Sequence, residues 1–72
     1  MSKLRKTIEI PHAFQHECNY VHEEVTDGIY YWAFIKIIED EGRCWATIES
    51  AYAWDDAENK EVECDFETEF EK

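Results

Sequence analysis

The sequence predicts one mainly β domain built on an antiparallel meander of four or five strands, and three observations support this fold class. Two turn signals, Asp27-Gly28 and Asp40-Glu41-Gly42, each lie between segments rich in β-branched and aromatic residues, which is the pattern of β-hairpins. The last segment, residues 61–71, alternates apolar and acidic side chains with the two-residue period of a strand. At 72 residues, the chain has room for a single domain over residues 1–72, near the lower size limit for an unsupported hydrophobic core.

The first third of the chain fits two structures. LRKTIEI predicts a short strand that Pro11 interrupts or ends, because proline cannot donate a hydrogen bond to a β-ladder. In residues 12–25, apolar side chains from Phe14 to Val25 recur at helical spacing, yet the Asp-Gly turn beyond them favours a strand that arrives from Cys18. The strand gives an all-β meander, and the alternative is an α+β arrangement with one short helix packed on the sheet.

The next two segments are predicted to be neighbouring strands. IYYWAFIKIIE, from Ile29 to Glu39, is mainly apolar at both its odd and its even positions, so both faces of the strand would be apolar. We therefore expect it to be the central strand, with two faces to cover. RCWATIESAYAW, from Arg43 to Trp54, continues the alternating pattern. Strict alternation places five of its side chains on one face: Cys44, Ala46, Ile48, Tyr52 and Trp54.

The final strand is expected to run from Glu61 to Glu71, after the polar connection DDAENK. Its apolar residues form a core face, and its acidic residues form one continuous outward row: Glu61, Glu63, Asp65, Glu67, Glu69 and Glu71. Adjacent carboxylates in such a row lie about 6.7 Å apart and repel each other by about 0.6 kcal/mol in water before salt screening. The repulsion opposes folding, so the row requires an explanation.

Three structural explanations of the acidic row compete with a functional one. Outward charge keeps an edge strand from pairing with other molecules, and a salt-adapted protein carries acids over its whole surface. The basic N-terminal strand could also lie beside the last strand, with Arg5 and Lys3 in reach, although three cations cannot offset six carboxylates. The functional explanation is that the row imitates a phosphate backbone.

Charge mimicry by one strand needs additional acids. A strand offers one charge per ~6.7 Å, about half the axial density of phosphates on one DNA strand. We expect the mimicry to be completed by the hairpin tip at residues 39–41, by a second copy of the chain, or by three acids that precede the last strand: Asp55, Asp56 and Glu58.

The formal net charge of −11 is unevenly distributed. The first six residues carry three of the seven basic residues, so residues 7–72 hold eighteen acids against four bases, a balance of −14. Such a surface repels nucleic acid and anionic membranes. No apolar run approaches the ~20 residues of a membrane span, and MSKLRK is not followed by the apolar segment of a secretory signal. We therefore expect a basic protein partner, no direct nucleic-acid or membrane binding, and a cytoplasmic location.

Metal binding, cofactor binding and catalysis have weak support in the sequence. His12, His16, Cys18 and His22 are potential zinc ligands, but no single regular structure points all four the same way. With two glycines, the chain has no glycine-rich phosphate loop and little pocket architecture. Carboxylates on a solvated strand face also lack a cause for the shifted pKa that a general acid needs. We expect no metal, no cofactor and no enzymatic activity.

The aromatic residues indicate a second candidate surface. Because both faces of the segment from Ile29 to Ile38 are apolar, one sheet cannot cover them unless it curls, takes a helix on its back or pairs with another copy. If residues 12–25 form a strand, the side chains of Tyr30, Trp32 and Trp45 become candidates for a dimer or partner interface.

The predicted function is that of a non-catalytic acidic protein-binding module, and its most concrete form is an inhibitor that blocks the basic site of a nucleic-acid-handling protein. In composition and size alone, the chain resembles the small acidic proteins of phages and mobile elements that block restriction enzymes, CRISPR nucleases, repair enzymes or RNA polymerase. No family motif accompanies this resemblance, and it assigns no residue a role. The alternative prediction is a homodimeric structural or adaptor protein that binds through its aromatic sheet face.

Overall fold

A computed structural model describes residues 3–72 and confirms the predicted mainly β fold class. This part of the chain contains six strands and one short 3₁₀ helix: β1 (Leu4–Ile10), the 3₁₀ helix (His12–Phe14), β2 (Cys18–Thr26), β3 (Ile29–Asp40), β4 (Arg43–Asp55), β5 (Lys60–Val62) and β6 (Cys64–Phe70). Of the two structures expected for residues 12–25, the strand is therefore confirmed, and the helical alternative is limited to a single turn.

Strands β2 to β5 form a four-stranded antiparallel sheet in sequence order. Two-residue turns join β2 to β3 and β3 to β4. All four turn residues have positive φ, namely Asp27 at 53°, Gly28 at 78°, Glu41 at 51° and Gly42 at 77°. Two successive residues with positive φ twist the chain in the sense that matches the twist of the flanking strands. Both predicted hairpins are therefore present, the second with its turn at Glu41 and Gly42.

The last strand differs from the prediction. β5 pairs with β4 over only three residues, Lys60–Val62, and β6 leaves this sheet to pair in parallel with β1, from Leu4 opposite Cys64 to Ile10 opposite Phe70. The expectation of one continuous strand over residues 61–71 is wrong at Glu63, which lies between the two strands. A strand that continued beside β4 would leave both faces of a single sheet open, whereas the turn at Glu63 carries apolar side chains onto one face.

The parallel pair of β1 and β6, which we call the ribbon, packs against one face of the four-stranded sheet. Five residues of β1 and β3 form the fully buried core, each with 0% exposure: Ile8, Ile10, Ala33, Ile35 and Ile37. Phe66 and Phe70 of β6 pack on this cluster, and the rings of Tyr31 and Phe66 meet edge to face at 6.3 Å. The core therefore lies between the ribbon and the covered face of the sheet.

A β-bulge in β4 reverses the predicted facing of two aromatic residues. Phe34 pairs with Ser50, but Ile35 pairs with Ile48, so Glu49 is an extra residue in β4. The extra residue shifts the alternation by one position. Strict alternation is correct up to Ile48 and wrong for Tyr52 and Trp54, which lie on the face opposite the ribbon.

Candidate functional site

The ribbon carries most of the predicted acidic row on its outer, exposed face. The parallel register places Arg5 opposite Asp65, Thr7 opposite Glu67 and Glu9 opposite Glu69, and all six residues are exposed. Both rows point away from the core because their strand neighbours, including Ile8, Phe66 and Phe70, point toward it. The acids of β6 therefore belong to a two-row surface and not to an isolated strand.

One end of the ribbon is neutralised by cations of the same chain. Lys3 Nζ lies 3.4 Å from Asp65 Oδ1 and 3.6 Å from Glu63 Oε2. These two carboxylates, Asp65 foremost, raise the pKa of Lys3. Arg5 is level with Asp65 on the neighbouring strand. The expectation that basic residues of the first strand lie beside the last strand therefore holds at this end, and Glu63 and Asp65 are not free anions.

The other end of the ribbon carries four carboxylates. Glu67 accepts a hydrogen bond of 3.0 Å from Thr7 Oγ1, and Glu69 lies directly opposite Glu9. Glu71 Oε1 accepts the backbone N–H of His12 at 3.1 Å and lies 4.0 Å from His12 Nε2. Across residues 3–72, no lysine or arginine forms an ion pair with these four carboxylates. We call Glu9, Glu67, Glu69 and Glu71 the acidic end.

The remaining predicted acids lie apart from the acidic end. Asp55 Oδ1 accepts backbone hydrogen bonds from Ala57 at 3.0 Å and Glu58 at 3.1 Å, so it shapes the turn between β4 and β5. Asp56 and Glu58 are exposed in that turn. Glu61 lies on β5 beside Trp54, in the other sheet. The structure therefore divides the predicted set among the ribbon, the turn and the edge of the sheet.

A surface groove joins the neutralised end of the ribbon to the β4–β5 turn. Its volume is about 560 Å³, and its walls combine apolar, basic and acidic side chains: Lys3, Leu4, Ile29, Asp55, Lys60, Glu61, Val62 and Glu63. Here Glu61 and Glu63 meet Asp55, but two lysines lie among them. The mixed charge of this groove contrasts with the single sign of the acidic end.

The face of the four-stranded sheet opposite the ribbon, which we call the open face, carries no covering strand within residues 3–72. The strand registers place seventeen side chains on it: Asn19, Val21, Glu23, Val25, Tyr30, Trp32, Phe34, Lys36, Ile38, Asp40, Arg43, Trp45, Thr47, Ser50, Tyr52, Trp54 and Glu61. The three predicted interface residues, Tyr30, Trp32 and Trp45, are all on this face. All three tryptophans of the chain therefore lie on the open face.

Three aromatic rings of the open face, those of Tyr30, Trp32 and Tyr52, pack on one another. The rings of Trp32 and Tyr52 stack at 5.5 Å, and those of Tyr30 and Tyr52 lie 6.0 Å apart. Tyr30 donates a hydrogen bond of 2.7 Å to Glu23, and this bond, with burial, raises the pKa of Tyr30 to about 12. Sequence reasoning missed Tyr52 and Trp54 because it did not foresee the bulge. The signal was the change of small residues from even to odd positions, at Ala51 and Ala53.

A polar network links β1 of the ribbon to β2 of the sheet. Glu24 forms an ion pair with Lys6, lies 2.7 Å from His22 Nε2 and accepts a hydrogen bond of 2.6 Å from Thr26. Burial acts to raise the pKa of Glu24, but the hydrogen bonds from Lys6, Thr26 and His22 outweigh it and hold the pKa at about 2. Lys6 Nζ also lies 4.8 Å from the centre of the Tyr31 ring. The network fixes the ribbon to the sheet.

The histidines and cysteines do not converge on one site. His12 lies in the 3₁₀ helix with its Nε2 2.9 Å from the carbonyl oxygen of Lys72, whereas His22 belongs to the polar network with Glu24. Over the part of the chain that the structure describes, no three His, Cys, Asp or Glu side chains are placed to hold a metal ion. Burial raises the pKa of the Cys44 and Cys64 thiols, which lowers their thiolate fraction.

Among residues 3–72, no helix has the length and apolar character needed to cross a bilayer. Comparison of the chain with protein-family models, with curated proteins and with solved structures finds no match.

Proposed function

We propose that this chain is a non-catalytic acidic protein-binding module that competes with nucleic acid for the basic site of a nucleic-acid-handling protein. The observation that supports the proposal is the acidic end of the ribbon, where Glu9, Glu67 and Glu69 are exposed, Glu71 is partly exposed beside His12, and none of the four has a lysine or arginine partner within residues 3–72. Folding holds these carboxylates close together despite their mutual repulsion. Because no lysine or arginine of residues 3–72 neutralises them, they remain able to attract an external cationic surface.

The ribbon supplies more charge per length than a single strand does. Glu67, Glu69 and Glu71 span two intervals of about 6.7 Å, and Glu9 adds a fourth charge from the neighbouring strand about 4.8 Å away. Three carboxylates at that spacing occupy about 20 Å of strand, so four correspond to about one charge per 5 Å, between the ~6.7 Å of a single row and the ~3.4 Å axial spacing of phosphates on one DNA strand. Glu9 therefore supplies part of the charge density that a single row lacks.

Long-range electrostatics favour the same kind of partner. The net charge of −11 attracts basic proteins and repels nucleic acid and acidic proteins. Such attraction raises the association rate for a basic target and weakens as salt screens it.

The proposal is tested with the charge-neutral variant E67Q/E69Q/E71Q. Proteins retained from a host lysate on the immobilised chain are identified, and each purified target is measured for binding and for displacement by duplex DNA. We expect the triple variant to bind at least about tenfold more weakly, which corresponds to about 1.4 kcal/mol. The matched control D40N/E41Q/D56N removes the same charge from the tip of the β3–β4 hairpin and from the β4–β5 turn, and it should retain most of the affinity.

Three results would overturn the proposal. One is a target whose binding persists unchanged in about 1 M salt, where the Debye length is about 3 Å. Another is a target that binds together with DNA instead of being displaced by it. The last is an equal loss of affinity in the triple variant and its control, which would show that total charge matters and the acidic end does not.

A second candidate function is that of a homodimeric structural or adaptor protein. The observation that favours it is the open face, where Trp45 and Tyr52 are 41% and 38% exposed on a sheet that no other strand of the described chain covers. Interfaces between proteins are enriched in such aromatic anchors.

A further inference from the structure

The open face has the size of a modest interface. Its four strands contain 9, 12, 13 and 3 residues, and at about 3.3 Å per residue and about 4.8 Å between strands they cover about 590 Å². This area lies at the upper end of the ~300–600 Å² range of the largest apolar patches of monomers and is about three quarters of the ~800 Å² per partner of a standard interface. The exposed fractions of Val21 and Val25, 49% and 64%, show that its edge is also apolar.

The open face is also nearly free of the charge that dominates the rest of the molecule. Of the eighteen acids in the chain, only Glu23, Asp40 and Glu61 lie among its seventeen side chains, together with two cations, Lys36 and Arg43. Glu23 is engaged by the Tyr30 hydroxyl. Two copies of this strongly acidic chain therefore repel each other least when their open faces meet, because the ribbons then point away from each other.

The strand registers arrange the open face in six rows across the strands. From the β2–β3 turn toward the β3–β4 turn, they are Val25, Tyr30, Trp54 and Glu61 in row one; Glu23, Trp32 and Tyr52 in row two; Val21, Phe34 and Ser50 in row three; Asn19, Lys36 and Thr47 in row four; Ile38 and Trp45 in row five; and Asp40 and Arg43 in row six, beside the β3–β4 turn. Rows one and five are apolar at β3 and β4. Rows two and four differ: row two carries two aromatic rings and the anion of Glu23, whereas row four carries two polar side chains and the cation of Lys36.

These rows are complementary under one two-fold operation. An axis in the plane of the interface, perpendicular to the strands and level with Phe34, sets row two of one copy on row four of the other. Lys36 then lies over Trp32 of the partner subunit and beside the partner's Glu23, and both groups favour a cation. An axis parallel to the strands would instead bring Lys36 to the level of the partner's Lys36. Row one meets row five, so apolar side chains pack on apolar side chains.

We propose that the open face binds the open face of a second copy of this chain, with strands antiparallel across a two-fold axis, to form a four-layered β-sandwich with the two ribbons outside. The proposal rests on the second candidate function and is independent of charge competition by the ribbon. Sheets packed face to face lie about 10 Å apart with strand directions within about 30°, which the row matching tolerates. The dimer presents two acidic ends on opposite sides, one for each of two basic partners.

Sedimentation equilibrium of the full chain tests the proposal over a concentration series. We expect a particle of twice the chain mass with a dissociation constant of about 10 µM or lower, a typical value for a modest interface of standard size. Because all three tryptophans lie on the open face, their emission should shift to shorter wavelength as the dimer forms. Dimerisation should persist in high salt, which separates it from any complex made by the acidic end.

Substitutions on each surface identify the interface. Trp45→Glu adds one negative charge to row five and should raise the dissociation constant at least tenfold, whereas Thr7→Glu adds the same charge to the outer ribbon and should leave it within about threefold. Circular dichroism confirms that each variant folds. A monomer at all concentrations, or equal effects of the two substitutions, would overturn the proposal.

A charge swap tests the orientation. Lys36→Glu places an anion against the partner's Glu23, and Glu23→Lys places a cation against the partner's Lys36, so each single variant should weaken the dimer. The double variant E23K/K36E restores opposite signs and should recover at least part of the affinity, as a double-mutant cycle measures. If the two single losses simply add, the antiparallel arrangement is wrong and the proposal fails.

Discussion

At the scale of single residues, position in the fold decides what each acid does. Asp65 and Glu63 contact Lys3, Asp55 accepts a hydrogen bond from the backbone of a turn, and Glu24 forms an ion pair with Lys6. All four count equally in the acidic composition of the chain. These four carboxylates stabilise the fold, whereas those of the acidic end have no lysine or arginine partner within residues 3–72 and are available to an external one. Counting acids in the sequence therefore overstates the number that are free to bind.

Glu24 gives the residue-scale prediction. Its pKa is depressed from an ordinary 4.5 to about 2, so its stabilising contribution is fully present above pH 4.5 and is lost as pH falls toward 2. We expect Glu24→Gln to lower the free energy of unfolding near neutral pH by about 1–3 kcal/mol, because it leaves Lys6 half-buried without its anion. Urea unfolding at a series of pH values should show the gap between the two proteins closing over that window.

The control for this prediction is Glu17→Gln, which removes one exposed charge from the chain outside the polar network. It should follow the wild-type curve within about 0.5 kcal/mol, as is usual for surface substitutions. A Glu24→Gln protein with wild-type stability at neutral pH would show that the network does not hold the ribbon in place.

At the scale of elements, the bulge at Glu49 decides which side chains face the core. Before it, Ala46 and Ile48 face the ribbon, and after it Ala51 and Ala53 do, while Tyr52 and Trp54 turn to the open face. The small alanines suit a face on which β6 packs closely. A regular strand would direct two large rings into that space.

Deletion of Glu49 should therefore cost far less stability than deletion of Thr47, a residue of the regular ladder. Without Glu49, the β3–β4 pairs on both sides of the bulge are unchanged and β4 alternates regularly, so Tyr52 and Trp54 stay on the open face. Without Thr47, either Ile48 and Glu49 exchange faces or the preceding part of β4 slips by one position against β3. We expect deletion of Thr47 to cost about 3 kcal/mol or more and deletion of Glu49 less than about 1 kcal/mol. Chemical denaturation compares the two variants, and equal losses would contradict the role given to the bulge.

The elements also show how far sequence reasoning extended and where it stopped. Local patterns sufficed for the mainly β class, for both hairpins and for the outward facing of the acids, because turn chemistry and two-residue alternation act over a few residues. They did not reveal the break at Glu63, the parallel pairing of β1 with β6 or the bulge. Each of these features allows the ribbon to cover one face of the sheet. That packing depends on contacts between residues distant in sequence, such as Ile8 and Phe66.

At the scale of the whole molecule, the two surfaces have opposite physical characters. The ribbon exposes the acidic end on one side, and the sheet exposes aromatic rings on the other. Burial of the open face would be governed by apolar area and would be insensitive to salt, whereas contacts of the acidic end would weaken with salt. Salt dependence therefore separates the functions of the two surfaces in any assay.

Salt should also stabilise the folded chain itself. The net charge of −11 is concentrated by folding, so screening relieves more repulsion in the native state than in the unfolded one. We expect the urea midpoint to rise between about 10 mM and 200 mM salt, where the Debye length falls from about 30 Å to below 10 Å. The E67Q/E69Q/E71Q variant should be more stable than the wild type by about 1 kcal/mol at low salt and nearly equal to it at high salt.

Glu63→Gln is the contrasting control for the salt experiment, because it removes a carboxylate that lies 3.6 Å from Lys3 Nζ. Loss of an attractive contact offsets relief of repulsion at that site, so this variant should gain little stability at low salt. If E67Q/E69Q/E71Q showed no gain either, the acids of the acidic end would not be repelling one another in the folded chain. Cations would then be neutralising these carboxylates in the folded chain, and the acidic end would have no excess attraction for a basic partner.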